Sequence, residues 1–299
     1  MKKRSQTKPR PTETQPEIRM RVHHFESSNE RQEFLKNLAI SSEFEMRYRG
    51  LLDYYGKEFI DYKKQKPTDK KRNEFLRIIS KFMTECLEDN CPSSWQQCQP
   101  SFWEELIFTF YPHCMHISTE EKEVETFLSQ LKYFVKWLDK RVGTSWYPRV
   151  EEYTFIASSE LKACEHLLNG LFLNDFPRIY QSDWDPEQDI EKINHKFEQC
   201  TDRLNSIFEV TSIIEDTVLL SEFETNHSYY IRGLPYKLIE IGMIMSGIIG
   251  KKSADLTWNW FQTDGIYPKE GKPTLQSRGK VRPYHCFAFE KMAYSISPI

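Results

Sequence analysis

The sequence predicts an α+β protein: an N-terminal helical bundle followed by a small, mostly antiparallel β-barrel-like domain, SH3-like or OB-like. Three observations carry this. From about residue 25 to 204, apolar residues recur at steps of three and four, the period of amphipathic helices. Near residue 205 the period drops to two and β-branched residues take over. Beyond that point the strands are short and punctuated by turn residues at the spacing of small barrels and sandwiches.

The helical part is organised around residues 118–142. Val124, Phe127, Leu128, Leu131, Phe134, Val135 and Leu138 fall on one face of a single helix. Ser118 and Glu121 have the spacing of a capping box, while Lys140 and Arg141 suit the negative end of the helix dipole. Gly143 supplies the left-handed residue that often ends a helix. Earlier helices are predicted from Ser27 or Ser28 through Leu38, from Phe44 to Tyr62, and from a cap at Thr68 or Asp69 through Cys86. A short helix bearing Phe102, Trp103, Leu106, Ile107 and Phe110 is expected behind a second box, Ser101 and Glu104. After a linker at 143–149, Leu161, Cys164, Leu167, Leu168 and Leu171 mark another helix. Asp185 as N-cap with Pro186 behind it starts the last one, whose buried side reads Ile190, Ile193, Phe197 and Leu204. Each stripe can be buried only against the others, which makes a bundle.

The β part reads as a three-stranded meander, with turns at Glu215-Asp216 and Thr225-Asn226. Further strands are expected after Gly242, over 254–261 with Trp258 and Trp260 on one face, and over 281–289, where the last strand would close the unit. A Gly- and Pro-rich loop is expected over 264–279. The domain reading is therefore a disordered basic arm over 1–24, a bundle over 25–204, a β domain over 205–292 and a tail over 293–299.

Composition narrows the function classes. Hydrophobic residues make up 39% and charged residues 28%, as in a globular protein, and no apolar run reaches the ~18 residues of a spanning helix. Seven cysteines at irregular spacing, with no apolar leader at the start, point to reduced thiols and a cytoplasmic location. Charge is uneven: residues 1–149 carry +4, 150–225 carry −12 and 226–299 carry +5.

No catalytic constellation is legible. There is no G-x-S-x-G, no phosphate-cradling glycine loop and no dinucleotide fingerprint. Cys86, Cys91, Cys98, His113, Cys114 and His116 have zinc-type side chains, but an intervening helix separates the two groups by ~15 Å at helical rise. Asp183, Asp185, Glu187 and Asp189 alternate like calcium ligands, yet the loop lacks the glycine and the bidentate glutamate, and helix capping accounts for them. His166 and His195 read as helix-surface residues, and Ser246 as a small packing residue. No metal or other cofactor is expected.

What remains is a C-terminal aromatic and basic set: Lys251, Lys252, Trp258, Trp260, Arg278, Lys280, Arg282 and Tyr284. Exposed rings stack on bases or on a protein partner while cations meet phosphates or carboxylates, so this set is the candidate partner-binding surface. Filling the barrel with the two tryptophans is the competing explanation. The expectation is a non-catalytic binding or regulatory protein whose β domain contacts a protein or nucleic-acid partner. The alternative is an enzyme with its site in the cleft between bundle and β domain, using for example His195 or His285 near a carboxylate. The helical part resembles, in pattern only, the arm-binding domains of tyrosine recombinases; the Arg, His-x-x-Arg and Tyr pattern of those enzymes is absent, so no role is carried over.

Overall fold

A computed structural model describes residues 24–44, 54–87 and 90–277. Arg278, Lys280, Arg282 and Tyr284, the strand expected over 281–289, His285 and nearly all of the N-terminal arm lie outside the described residues. Among the described residues, eight helices precede a five-stranded sheet. The helices are α1 (Ser28–Glu43), α2 (Tyr54–Gln65), α3 (Lys70–Lys81), α4 (Pro100–Glu105), α5 (Tyr111–Cys114), α6 (Glu123–Val142), α7 (Tyr147–Asp175) and α8 (Pro186–Glu198). A ninth, α9 (Lys272–Ser277), follows the strands. No described helix is long and apolar enough to cross a membrane.

Local chemistry sets several boundaries as expected. Asp69 Oδ1 accepts the Arg72 amide at 3.0 Å, and Asp185 Oδ1 accepts that of Glu187 at 3.0 Å. Gly143 ends α6 at φ 75° and donates to the Asp139 carbonyl at 2.9 Å. Both predicted capping boxes are corrected. Ser118 Oγ does accept the Glu121 amide at 3.2 Å, but Glu121 adopts φ 49° and α6 starts only at Glu123. The Glu123 amide donates instead to Glu165 Oε1 of α7 at 2.8 Å, so a neighbouring helix caps α6. Residues Ser101 and Glu104 lie inside α4, which begins at Pro100 because proline fits the first helical turn. From α4 a π turn, Leu106–Phe110, leads into α5.

The start of α7 also depends on a residue from outside. Asp139 of α6 accepts the Trp146 amide on Oδ1 at 2.9 Å and the Tyr147 amide on Oδ2 at 2.7 Å. Both are orphan donors of a helix N-terminus, which lets the expected linker turn tightly into a 29-residue helix. The bundle core is built on rings. Phe134 sits among Phe59, Tyr62, Phe75 and Trp95 with centroids 5.7, 5.2, 5.4 and 5.9 Å away.

The strands are β1 (Asp202–Ile214), β2 (Thr217–Glu222), β3 (Ser228–Arg232), β4 (Ile244–Lys251) and β5 (Trp258–Tyr267). They pair in the order β1-β2-β3-β5-β4, and β4 returns to β1, so the ring of pairings closes. All pairs are antiparallel except β3 with β5, joined in parallel at Ile231↔Trp258 and Arg232↔Asn259. The first half of β1 pairs with β4 and the second with β2, with a register shift between Val210 and Ser212. Phe208, Val210, Val218, Leu220, Ile231, Met245, Ile249 and Ile266 are buried.

Three expectations for this region are corrected. The first strand begins at Asp202 and takes in Leu204, which the apolar spacing places on the last helix. The β3–β5 pair already completes the ring without the strand expected over 281–289. The loop expected over 264–279 is strand to Tyr267, then a short 3₁₀ turn and α9. Pro268 stops the strand and Pro273 fits a first helical turn, so the prolines mark boundaries of structure.

Candidate functional site: the cleft between α8 and the strand ring

The β4–β5 hairpin places the predicted partner-binding residues. Trp260 is opposite the buried Ile249, and Trp258 lies beside the buried Ile231, so both rings turn toward the ring interior. Trp258 meets Tyr229 edge-on at 5.2 Å and Trp260 meets Phe208 at 6.0 Å. Both tryptophans stay half-buried, and Lys251 Nζ lies 5.4 Å from the Trp258 ring centroid. Trp260 Nε1 donates to Thr263 Oγ1 at 2.8 Å. The two rings therefore plug the ring of strands, and a partner reaches them only where the plug is open to solvent.

Lys252 is placed differently. Its Nζ donates to Gln199 Oε1 at 2.7 Å, linking the hairpin to the end of α8. This helix rests on the outside of the strands through Phe197 against Phe261, 5.2 Å centroid to centroid, with the Arg203 guanidinium 4.6 Å from the Phe197 centroid. Cys200 fills the adjoining space: a Cβ on Gly250 would lie 3.1 Å from its Sγ. The expected buried side of α8, Ile190, Ile193 and Phe197, is only half-buried, because one edge of the helix borders an opening.

That opening is a cleft of about 540 Å3 between the end of α7, α8, the end of β3 and the β4–β5 hairpin. Lys196, Arg232 and Lys252 contribute cations to its lining, Asp175 and Asp255 carboxyls, and Asn174, Gln199 and Asn259 amides. Trp260 and Lys252 bring two of the predicted residues to it; Lys251 and Trp258 do not line it. Burial pushes the Asp175 carboxyl up to about 6, against the opposing pull of Asn174 and Lys196. Burial also raises the Cys200 thiol, which leaves it protonated and a weak nucleophile. Arg232 is held across the β1–β2 turn, 3.4 Å from Thr217 Oγ1 and 3.9 Å from Asp216. His195 contacts Gln199 at 3.1 Å and is exposed, outside the lining. This set can bind a ligand of mixed charge, but it pairs no nucleophile with a base.

Other predicted clusters are spread over structural contacts. Among the described residues no three His, Cys, Asp or Glu side chains come together to hold a metal ion. Asp183 pairs with Arg178 at 2.7 Å, Asp185 caps α8, and Asp189 accepts Trp184 Nε1 at 3.0 Å. His166 contacts Glu121 at 2.9 Å, and Ser246 is fully buried within β4.

Sequence reading missed Asp175, Lys196, Arg232, Asp255 and Asn259, which line the cleft. Their one sequence signal is Lys252 three residues before Asp255 in a hairpin loop, where the Lys252 amide donates to Asp255 Oδ2 at 3.4 Å. It also missed a carboxyl pair where bundle and strands meet. Glu160 Oε2 on α7 and Glu270 Oε2 after β5 are both buried and lack a conventional partner, while Lys269 Nζ reaches Glu160 at 2.6 Å and Glu270 at 3.9 Å. One proton shared between the two carboxyls satisfies both oxygens. Burial and this bond to Glu160 push Glu270 from 4.5 up to about 7.

The folded state therefore binds this proton more tightly than the unfolded chain, and stability declines as pH rises from 4.5 through about 7. Glu123, raised mainly by burial to about 7, and Asp175 contribute with the same sign. We expect a lower melting temperature at pH 8 than at pH 5.5. In Glu270→Gln, whose amide donates to Glu160 without titrating, the pH 8 value should rise and the pH dependence shrink. Differential scanning fluorimetry across this range checks it, and an equal or steeper pH dependence in the variant would refute the shared proton.

Comparison with protein-family models, with curated proteins and with solved structures finds no match to this chain.

Proposed function

We propose that this is a non-catalytic cytoplasmic binding protein with an OB-like β unit, and that the cleft beside α8 takes a segment of a protein partner. The OB-like reading rests on the order β1-β2-β3-β5-β4 with one parallel pair. The turn between β1 and β2 and the β4–β5 hairpin both lie next to Arg232, and OB barrels commonly bind through these two loops. The free thiols of the buried Cys98, Cys164 and Cys200 agree with a reducing compartment.

The observation that carries the choice of partner is charge balance. From Asp202 to Ser277 the chain has ten Asp and Glu against seven Lys and Arg, and the cleft lining itself combines three cations with two carboxyls. A phosphate backbone calls for a basic track, whereas a polypeptide offers both signs together with amides. A photo-crosslinking side chain at Asn259 of the full chain should give protease-sensitive, nuclease-resistant adducts that disappear in Arg232→Glu/Lys252→Glu. Nuclease-sensitive adducts would overturn this reading. So would retention of a fluorescent oligothymidylate at low salt that collapses as salt is raised.

One observation favours the enzyme alternative: Asp175, held near 6, is suited to proton transfer in the same cleft. The thiol in the lining, Cys200, is kept protonated by burial, so the cleft supplies no ready nucleophile and binding is the preferred reading.

A further inference from the structure

We propose a second ligand site, on the bundle, for a flat aromatic molecule carrying one carboxylate. It is a cleft of about 360 Å3 where α2, α3 and α6 meet, lined in part by Tyr62, Lys66, Asp69, Arg72, Tyr133 and Trp137.

Arg72 is the informative residue. It is only 8% exposed, yet it carries a charge that a bundle core does not need. Its guanidinium lies 3.8 Å from the Tyr62 ring centroid, and Nη1 donates to the Tyr62 carbonyl at 2.8 Å. Its Nε is buried without an acceptor. A buried cation is costly, and an anion in the cleft would meet its charge through the part of the side chain that stays exposed. The neighbouring Asp69 uses Oδ1 to cap α3 through the Arg72 amide. Its charge offsets one of the two cations, Lys66 and Arg72, so the cleft favours a ligand with a single negative charge.

The walls specify the remainder of the ligand. Trp137 lies 5.0 Å from Tyr62, and Tyr133 stands at the rim with 64% of its surface exposed. A flat ring seated between Tyr133 and Trp137 covers both while its carboxylate reaches Arg72 and Lys66. The volume lies near the lower end of the ~300–1,000 Å3 typical of small-molecule sites, which suits one fused ring system.

Isothermal titration of the full chain with indole-3-carboxylate, and with indole-3-carboxamide as its neutral match, tests this. The carboxylate should bind at least about tenfold more tightly than the amide. Tyr133→Ala and Lys66→Gln, both at the rim, should each weaken it by about tenfold with no change in melting temperature. Arg72→Lys keeps the charge but loses the planar fork and should bind least well. Absence of heat with the carboxylate, equal affinity for the amide, or undiminished binding in both rim variants would overturn the proposal. Tighter binding of adenosine monophosphate or inorganic phosphate would overturn it in favour of a phosphate site.

Discussion

Phe134→Ala should destabilise the bundle by about 3–5 kcal/mol, the range for removing a large buried ring. The side chain is fully buried, and its centroid lies within 5.9 Å of those of four aromatic neighbours drawn from α2, α3 and the segment before α4. Those neighbours are themselves large and interlocked: Trp95 meets Phe59 at 5.7 Å and Phe102 at 6.3 Å. They cannot close over the void without tilting out of contact with one another, so the cavity term adds to the lost transfer energy. Urea denaturation followed by near-ultraviolet circular dichroism reads the loss of this packing. A cost of only about 1 kcal/mol would mean that the site collapses easily, contrary to the packing described.

The second large effect is expected on the other side of the molecule. Gly247→Ala should prevent the strand ring from forming, because a Cβ there would lie 2.0 Å from the Gln262 carbonyl oxygen and 2.6 Å from Trp260 Cζ2. The first of these is backbone of the partner strand and cannot be turned aside. Gly247 sits at a register irregularity between β4 and β5, where the strands approach closely and Trp260 folds across the gap. Gly233→Ala is the informative comparison: nothing lies within 4 Å of its Cβ position, and only its φ of 80° is unfavourable. That change should cost about 1 kcal/mol, the scale of a left-handed residue losing glycine. Limited proteolysis and far-ultraviolet dichroism should show β content lost in the first variant and kept in the second. A Gly247→Ala protein melting within a few degrees of the parent would contradict the close approach.

Change of period near residue 205 was legible because it is local: the alternating burial along β2 falls on the apolar Val218 and Leu220, two residues apart. Helix starts at Asp69 and Asp185 were legible for the same reason, since the capping carboxylate is two or three residues from the amide it accepts. The box at Ser118 misled because Glu165, 42 positions from Glu123, caps α6 in its place. The tryptophans were correctly placed on a common face of β5. Which way that face points was set by the pairing of Trp260 opposite Ile249, a register that no single strand contains.

The amino-acid order alone therefore determined where the chain winds and where it pleats. Periodicity, turn chemistry and side-chain type act over a few residues and leave their mark in any one segment. Tertiary structure decided the closure of the ring through β3 and β5, and it decided the cleft, where Asp175, Lys196, Arg232 and Lys252 arrive from four separate elements. Charged side chains carry no local signal of the neighbours they will meet. Their field and their pKa values come into being only when packing has brought them together and excluded water.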